Sequence, residues 1–122
     1  MNLRQKIGKR GESAAVRFLK KSGYKILEQN YRTRLGEIDI IARDRQTIVF
    51  IEVKTRRSLG YGSPKMAITP KKQRNISMTA LYYLKINDQS HADARFDVVT
   101  VLTEGGHADI DIIKNAFELA YF

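Results

Sequence analysis

The chain predicts an α/β fold: an α-β-β-β-α-β core in which a mixed sheet is flanked by helices. Three observations carry the prediction. Apolar residues recur at helical spacing in two separated stretches. Runs rich in Ile and Val fill the space between and after them. A single Gly- and Pro-containing loop divides the third of those runs from the second helical stretch. The 122 residues suit one domain, 1–122, and no repeat, linker or low-complexity segment interrupts it.

Residues 9–22 read as the first helix. Ala15, Val16 and Leu19 share a face, Arg10, Arg17, Lys20 and Lys21 lie on the other side, and Gly23 ends it. Lys25–Tyr31 reads as a strand and Gly36–Arg43 as a second. Asp44-Arg45-Gln46 is a tight turn into a third, Thr47–Thr55, whose apolar residues fall on both faces and so predict a central position. Residues 56–70 form one long loop with a helical turn at Pro64–Ile68. Pro70 opens a second helix, about residues 70–86, since proline is tolerated in a first turn. Arg95–Leu102 is a fourth strand, Ile110–Ile113 a short fifth and Asn115–Tyr121 a short terminal helix.

Composition narrows the function classes. The absence of cysteine excludes a disulfide framework, a thiolate zinc site and a Cys nucleophile, and fits a reducing compartment. The charged N-terminus carries no apolar run of the signal-peptide kind, and no stretch is long and apolar enough to span a bilayer. The expected location is the cytoplasm. Net charge is +9 and uneven: residues 1–74 hold 19 basic and 6 acidic residues, residues 75–122 hold 3 and 7. Such a basic N-terminal part suits a polyanion, although a surface tuned for solubility accounts for net charge equally well. A membrane surface fits less well, because no basic helix carries the bulky apolar face needed to insert.

The third strand carries the first chemical signal. Alternation puts Ile48, Phe50, Glu52 and Lys54 on one face, with Val49, Ile51 and Val53 on the other. A carboxylate and an ammonium on a strongly apolar strand need a partner or a metal. A structural ion pair satisfies that need as well as a metal does. The second strand adds Glu37 and Asp39 on one face, and hairpin pairing sets Asp39 beside Glu52. Two adjacent carboxylates repel, and a divalent cation relieves the conflict. Magnesium, or manganese, favours oxygen ligands, so Asp39, Glu52 and the backbone carbonyl of Val53 make an adequate site. Glu37 either adds to it or faces solvent.

Two further polar residues sit on apolar packing faces. Glu12 lies among Gly8, Ala15, Val16 and Leu19 on the first helix, where Gly8, Gly11 and Ala15 allow close approach. It is either a partner for Lys54 or an arginine, or a further group for the metal site. Gln73 shares a face with Ile76, Ala80, Tyr83 and Leu84. It either bonds backbone or helps to hold Lys54, water or a phosphate.

Asp39, twelve intervening residues and then Glu52-Val53-Lys54 resembles the signature of the PD-(D/E)XK nuclease superfamily. Gly11-Glu12 on a preceding helix and Gln73 on a following one resemble its Holliday-junction-resolvase branch. Gly36-Glu-Ile-Asp-Ile-Ile-Ala42, Phe50-Ile-Glu-Val-Lys-Thr-Arg56, Arg95-Phe-Asp-Val-Val99 and Asn115-Ala-Phe117 resemble, over nearly the whole chain, the YraN-like family of small bacterial proteins. That family is uncharacterised and described as predicted endonucleases related to archaeal resolvases. The resemblance implies a restriction-endonuclease-like core, with Asp39 and Glu52 as metal ligands and Lys54 as the group that positions the attacking water or steadies the transition state. Glu12 and Gln73 match its helix-borne acid and glutamine. One departure stands out: Ile38, not proline, precedes Asp39.

The reading that follows is a divalent-metal-dependent endonuclease on DNA, with branched DNA as one candidate substrate. Arg32, Arg34, Thr55, Arg56, Arg57, Lys65, Lys71, Lys72 and Arg74 are the candidate phosphate contacts, and Tyr61 a candidate for base stacking. Each basic residue taken singly is also ordinary surface charge. The alternatives are a non-catalytic nucleic-acid-binding module on a nuclease fold, and an interaction module for an acidic protein partner. Symmetric cutting of two strands would require a homodimer. The apolar stripe Met78, Leu81 and Tyr82 is the candidate seam, or else packs under a loop.

Overall fold

Helix α1 (Leu3–Lys21) begins well before residue 9 in the computed structural model, which describes residues 2–56, 68–104 and 107–120. A capping box explains the early start: the Asn2 side chain accepts from the Gln5 N–H at 2.8 Å, and the Gln5 side chain accepts from the Asn2 N–H at 3.0 Å. The helix ends at Lys21, and Gly23 turns the chain with a φ of +93°.

Strands β1 (Lys25–Thr33), β2 (Gly36–Asp44) and β3 (Thr47–Arg56) follow as an antiparallel meander. Arg45, with φ +58°, makes the tight turn between β2 and β3. Helix α2 (Pro70–Ile86) has the predicted bounds, with Thr69 as its N-cap accepting from the Lys72 N–H at 3.1 Å. It crosses over to β4 (Ala94–Glu104), which lies parallel to β3, and β5 (His107–Phe117) pairs antiparallel with β4. The sheet is therefore mixed, in the order β1-β2-β3-β4-β5, with β3 central as its two apolar faces require.

A helix covers each face. Ala15, Val16 and Leu19 of α1 pack with Ile40, Ala42, Val49, Ile51, Val99 and Val101. Ile76, Ala80, Tyr83 and Leu84 of α2 pack with Ile38, Ile41, Ile48, Phe50 and Phe96 on the other side. Among the described residues, no helix is long and apolar enough to cross a membrane.

Over residues 115–120 the predicted terminal helix is not formed; Tyr121 lies outside the described residues. The chain continues as β5 to Phe117, and residues 118–120 have no regular structure. The free edge of β4 wins over local helical spacing: Phe117 pairs with Phe96 and stacks on it at 4.8 Å, and the Ala120 N–H donates to Ser77 Oγ at 2.9 Å. The long loop predicted over 56–70 falls mostly outside the described residues. So do its helical turn up to Met66 and Ala67, Tyr61, and the candidate contacts Arg57 and Lys65.

Candidate active site

The site forms where the sheet stops being regular. The β2–β3 ladder runs from Asp44–Thr47 to Ile40–Ile51 and ends there, one step before Asp39 would pair with Glu52. Asp39 instead turns its carboxylate into the ladder's place, and its Oδ2 accepts the Val53 N–H at 2.8 Å. The β1–β2 ladder skips the same level. Gln29–Ile40 and Tyr31–Ile38 pair, while Asn30, between them, has φ +52°. Side-chain alternation breaks there too: Ile38 packs toward α2, whereas Ile40 packs toward α1. This kink is what aims Asp39 at Glu52.

Glu52 is only 6% exposed on the α2 side of β3. Its Oε1 takes two ammonium groups: Lys72 of α2 donates at 2.6 Å, and Lys54 lies at 3.6 Å. The mutual proximity of these groups shows in their acidities. Burial, then the negative charge of Glu52, pushes the Asp39 carboxyl up to about 7 against the Val53 hydrogen bond. Burial, then the charge of Lys72, lowers the Lys54 pKa, with Glu52 opposing. For Lys72 burial acts to lower the pKa, but its hydrogen bond to Glu52 and that carboxylate's charge outweigh it, so the net shift is upward.

Glu12 joins from α1. Burial raises its pKa, the Asn30 side chain opposes by hydrogen bonding, and the charges of Glu37 and Glu52 add to the rise. It lines an open cleft of about 730 Å³ with Gln5, Gly8, Lys9, Asn30 and Arg32. Gly11 is what lets α1 approach: a Cβ there would collide with Thr55 Oγ1. Gly8 has no such role, since nothing lies within 4 Å of a Cβ placed on it.

The other predicted residues divide clearly. Gln73 bonds backbone, its Nε2 donating to the Ile68 carbonyl at 3.0 Å. Glu37 faces solvent, ion-paired with Arg32 at 3.1 Å. Thr55 turns toward α1 and Gly11 rather than outward. Arg34, Arg56 and Lys71 are exposed and Arg74 is half-buried. Lys72 is inside the site and engaged with Glu52. His91 and His107 are exposed, as solvated histidines are. Asp97 is fully buried and structural: Arg95 Nε donates to both its oxygens at 3.1 Å, and the Asn115 N–H to Oδ1 at 3.1 Å. Arg95 Nη2 also reaches Tyr24 Oη and Asp44 Oδ2, each at 2.8 Å.

Asn30 and the Lys72–Glu52 contact were missed by sequence reasoning. An asparagine inside a predicted strand was the available sign of the first, because asparagine tolerates positive φ. Lysines in the first turn of α2, with no acid there, were the sign of the second.

Among the described residues, no three acids or histidines are grouped closely enough to hold a metal by themselves. Two carboxylates nevertheless suit magnesium, which commonly takes one or two and keeps waters. Burial is the larger cause of the raised Asp39 pKa and the charge of Glu52 the second, and a divalent cation relieves the latter. The donor set therefore fits a hard divalent ion.

Residues 11–101 match the model of a family described as "Uncharacterised protein family UPF0102". A UPF0102 protein of Desulfosudis oleivorans is 54% identical over 118 residues, covering 97% of this chain and 94% of its own. One from Geobacter metallireducens is 54% identical over 122 residues, covering 99% and 100%. One from Syntrophus aciditrophicus is 55% identical over 114 residues, covering 93% and 90%.

Proposed function

Because this chain belongs to the UPF0102 family, the YraN-like group of small bacterial proteins, and because its kinked sheet sets two carboxylates and two lysines in one half-buried space, we propose that it is a divalent-metal-dependent endonuclease hydrolysing phosphodiester bonds in DNA. The single observation that carries the reading is the convergence of Asp39, Glu52 and Lys54, with Asp39 bonded to the Val53 N–H at 2.8 Å and Lys54 Nζ 3.6 Å from Glu52. Ion pairing accounts for Glu52 with its lysines but gives no reason for a second carboxylate, Asp39, beside it.

Asp39 and Glu52, with the Val53 carbonyl, would hold magnesium or manganese. When bound, the ion supplies Lewis acidity at the scissile phosphate and lowers the pKa of a coordinated water. Asp39 is oriented by the Val53 N–H and Glu52 by Lys54, so both carboxylates are placed before an ion arrives. Lys54, 15% exposed, offers positive charge where the pentacovalent phosphorus gains negative charge. Glu12 acts as an orienting acid from α1, and Gln73, by bonding the Ile68 carbonyl, fixes the entry of α2 beside the site. Arg32, Arg34, Arg56, Lys71 and Arg74 serve as phosphate contacts along the strand.

A cleavage assay with magnesium or manganese on junction, linear duplex, single-stranded and RNA substrates tests this. Glu52→Ala and Lys54→Ala should each lower the rate by about 10²-fold or more. Cleavage that survives both substitutions would sink the assignment. One observation favours a second reading, the non-catalytic nucleic-acid-binding module: Glu52 is already neutralised by Lys72 at 2.6 Å. Tight binding without cleavage of any substrate would select it.

A further inference from the structure

The position of Lys72 is expensive on two counts. It stands in the first turn of α2, where the helix dipole disfavours a cation and no acid compensates. Its ammonium also shares a single carboxylate oxygen, Glu52 Oε1, with Lys54, so two like charges converge on one acceptor. Neither feature serves the packing of α2, whose apolar face is made by Ile76, Ala80, Tyr83 and Leu84. Glu52 is what stabilises Lys72 there, at 2.6 Å, the shorter of the two contacts.

Charge counting gives the arrangement a purpose. Asp39 and Glu52 when ionised are balanced by Lys54 and Lys72, so these four groups sum to about zero in the metal-free site, with Glu12 on α1 outside the set. A divalent cation added to that balanced set leaves an excess of about two positive charges, the match for a phosphodiester passing to a doubly charged transition state. Without Lys72 the same site would be anionic when empty and would carry a smaller excess when loaded. Lys72 is also 40% exposed, on a flexible stem, so it can leave Glu52 without disturbing the helix.

We infer that Lys72 is the resident counter-ion of the site: it neutralises Glu52 in the metal-free protein, competes with the divalent cation for that carboxylate, and so makes the pocket attractive to a phosphodiester only after the cation has loaded. The inference rests on the metal-dependent reading of the site and adds a regulator to it.

The test is Mn²⁺ titration by calorimetry on the full chain, in wild type, Lys72→Met, Lys72→Gln and Lys72→Arg, with Glu52→Gln as a reference. The expected result is about tenfold tighter Mn²⁺ binding in Lys72→Met and Lys72→Gln, because a positive charge beside the ligand has been removed. Lys72→Arg should stay near wild type. The metal-free thermal midpoint should fall in Lys72→Met and recover at saturating Mn²⁺. Lys72→Gln retains a donor toward Glu52 and provides the comparison should Lys72→Met fold poorly. Unchanged affinity in both neutral variants, with binding lost in Glu52→Gln, overturns the counter-ion role and leaves the metal site standing. No binding by any of the variants overturns both.

Discussion

Asp39 and Glu52 share a partly dehydrated space, and their conflict has a measurable signature. The folded-state pKa of Asp39, about 7, lies above its ordinary value of 3.8, so between the two the folded protein holds a proton that the unfolded chain releases. Stability from that proton is complete below the ordinary value and is lost as pH rises through about 7. Asp39→Asn keeps an acceptor for the Val53 N–H and removes the charge. The metal-free variant should exceed wild type in stability above pH 8 by about 2 kcal/mol, with the difference shrinking near pH 4. Denaturant unfolding at both pH values measures this, and an equal difference at both would rule out a protonated Asp39. At this scale the acids and Lys54 were legible because each charge interrupts an apolar pattern. Lys72 was not, because a lysine at a helix start breaks no pattern, and its partner is fixed only by how α2 docks.

Among the elements, α1 and β3 make the tightest seam at Gly11 and Thr55. Gly11→Ala ought to stabilise an isolated helix by about 1 kcal/mol. Here the added carbon would collide with Thr55 Oγ1 and lie 3.1 Å from its Cβ and Cγ2. The expected net outcome is a loss of about 1–2 kcal/mol, with weaker metal binding as well, because Thr55 directly follows Lys54 on β3. Equilibrium unfolding and a Mn²⁺ titration read the two effects, and a more stable variant would refute the seam. Helix bounds were readable where the cap adjoins the apolar pattern, as at Pro70, and misjudged at the start of α1, where the Asn2–Gln5 box precedes that pattern. The C-terminal stretch was misread for the opposite reason: Ala116 and Ala120 keep helical spacing, yet the unpaired edge of β4 offered Phe117 a partner that no local signal announces.

Across the molecule the charge is divided, with 19 of the 22 basic residues in positions 1–74. With Arg32, Arg34, Arg56, Lys71 and Arg74 as contacts, binding to duplex DNA should fall with salt at a log–log slope of roughly −4 or steeper. Fluorescence anisotropy across a salt series checks it, and a flat response would favour a protein partner. The sheet's overall plan was legible because β3 is apolar on both faces and β2 joins it through a short turn. The kink at Asp39 was not, since it depends on Asn30 and Val53 from both neighbouring strands acting at one level. The strands lie in the sheet in the order in which they are synthesised, and that has a consequence for assembly. Glu12, Asp39, Glu52 and Lys54 all belong to the first helix and the meander, whose pairings are between sequence neighbours and need no strand beyond β3. The one joint that needs a crossover, β3 to β4, brings in α2. The nascent chain would thus gather its acids first, and receive the lysine that quiets them only when the second half arrives.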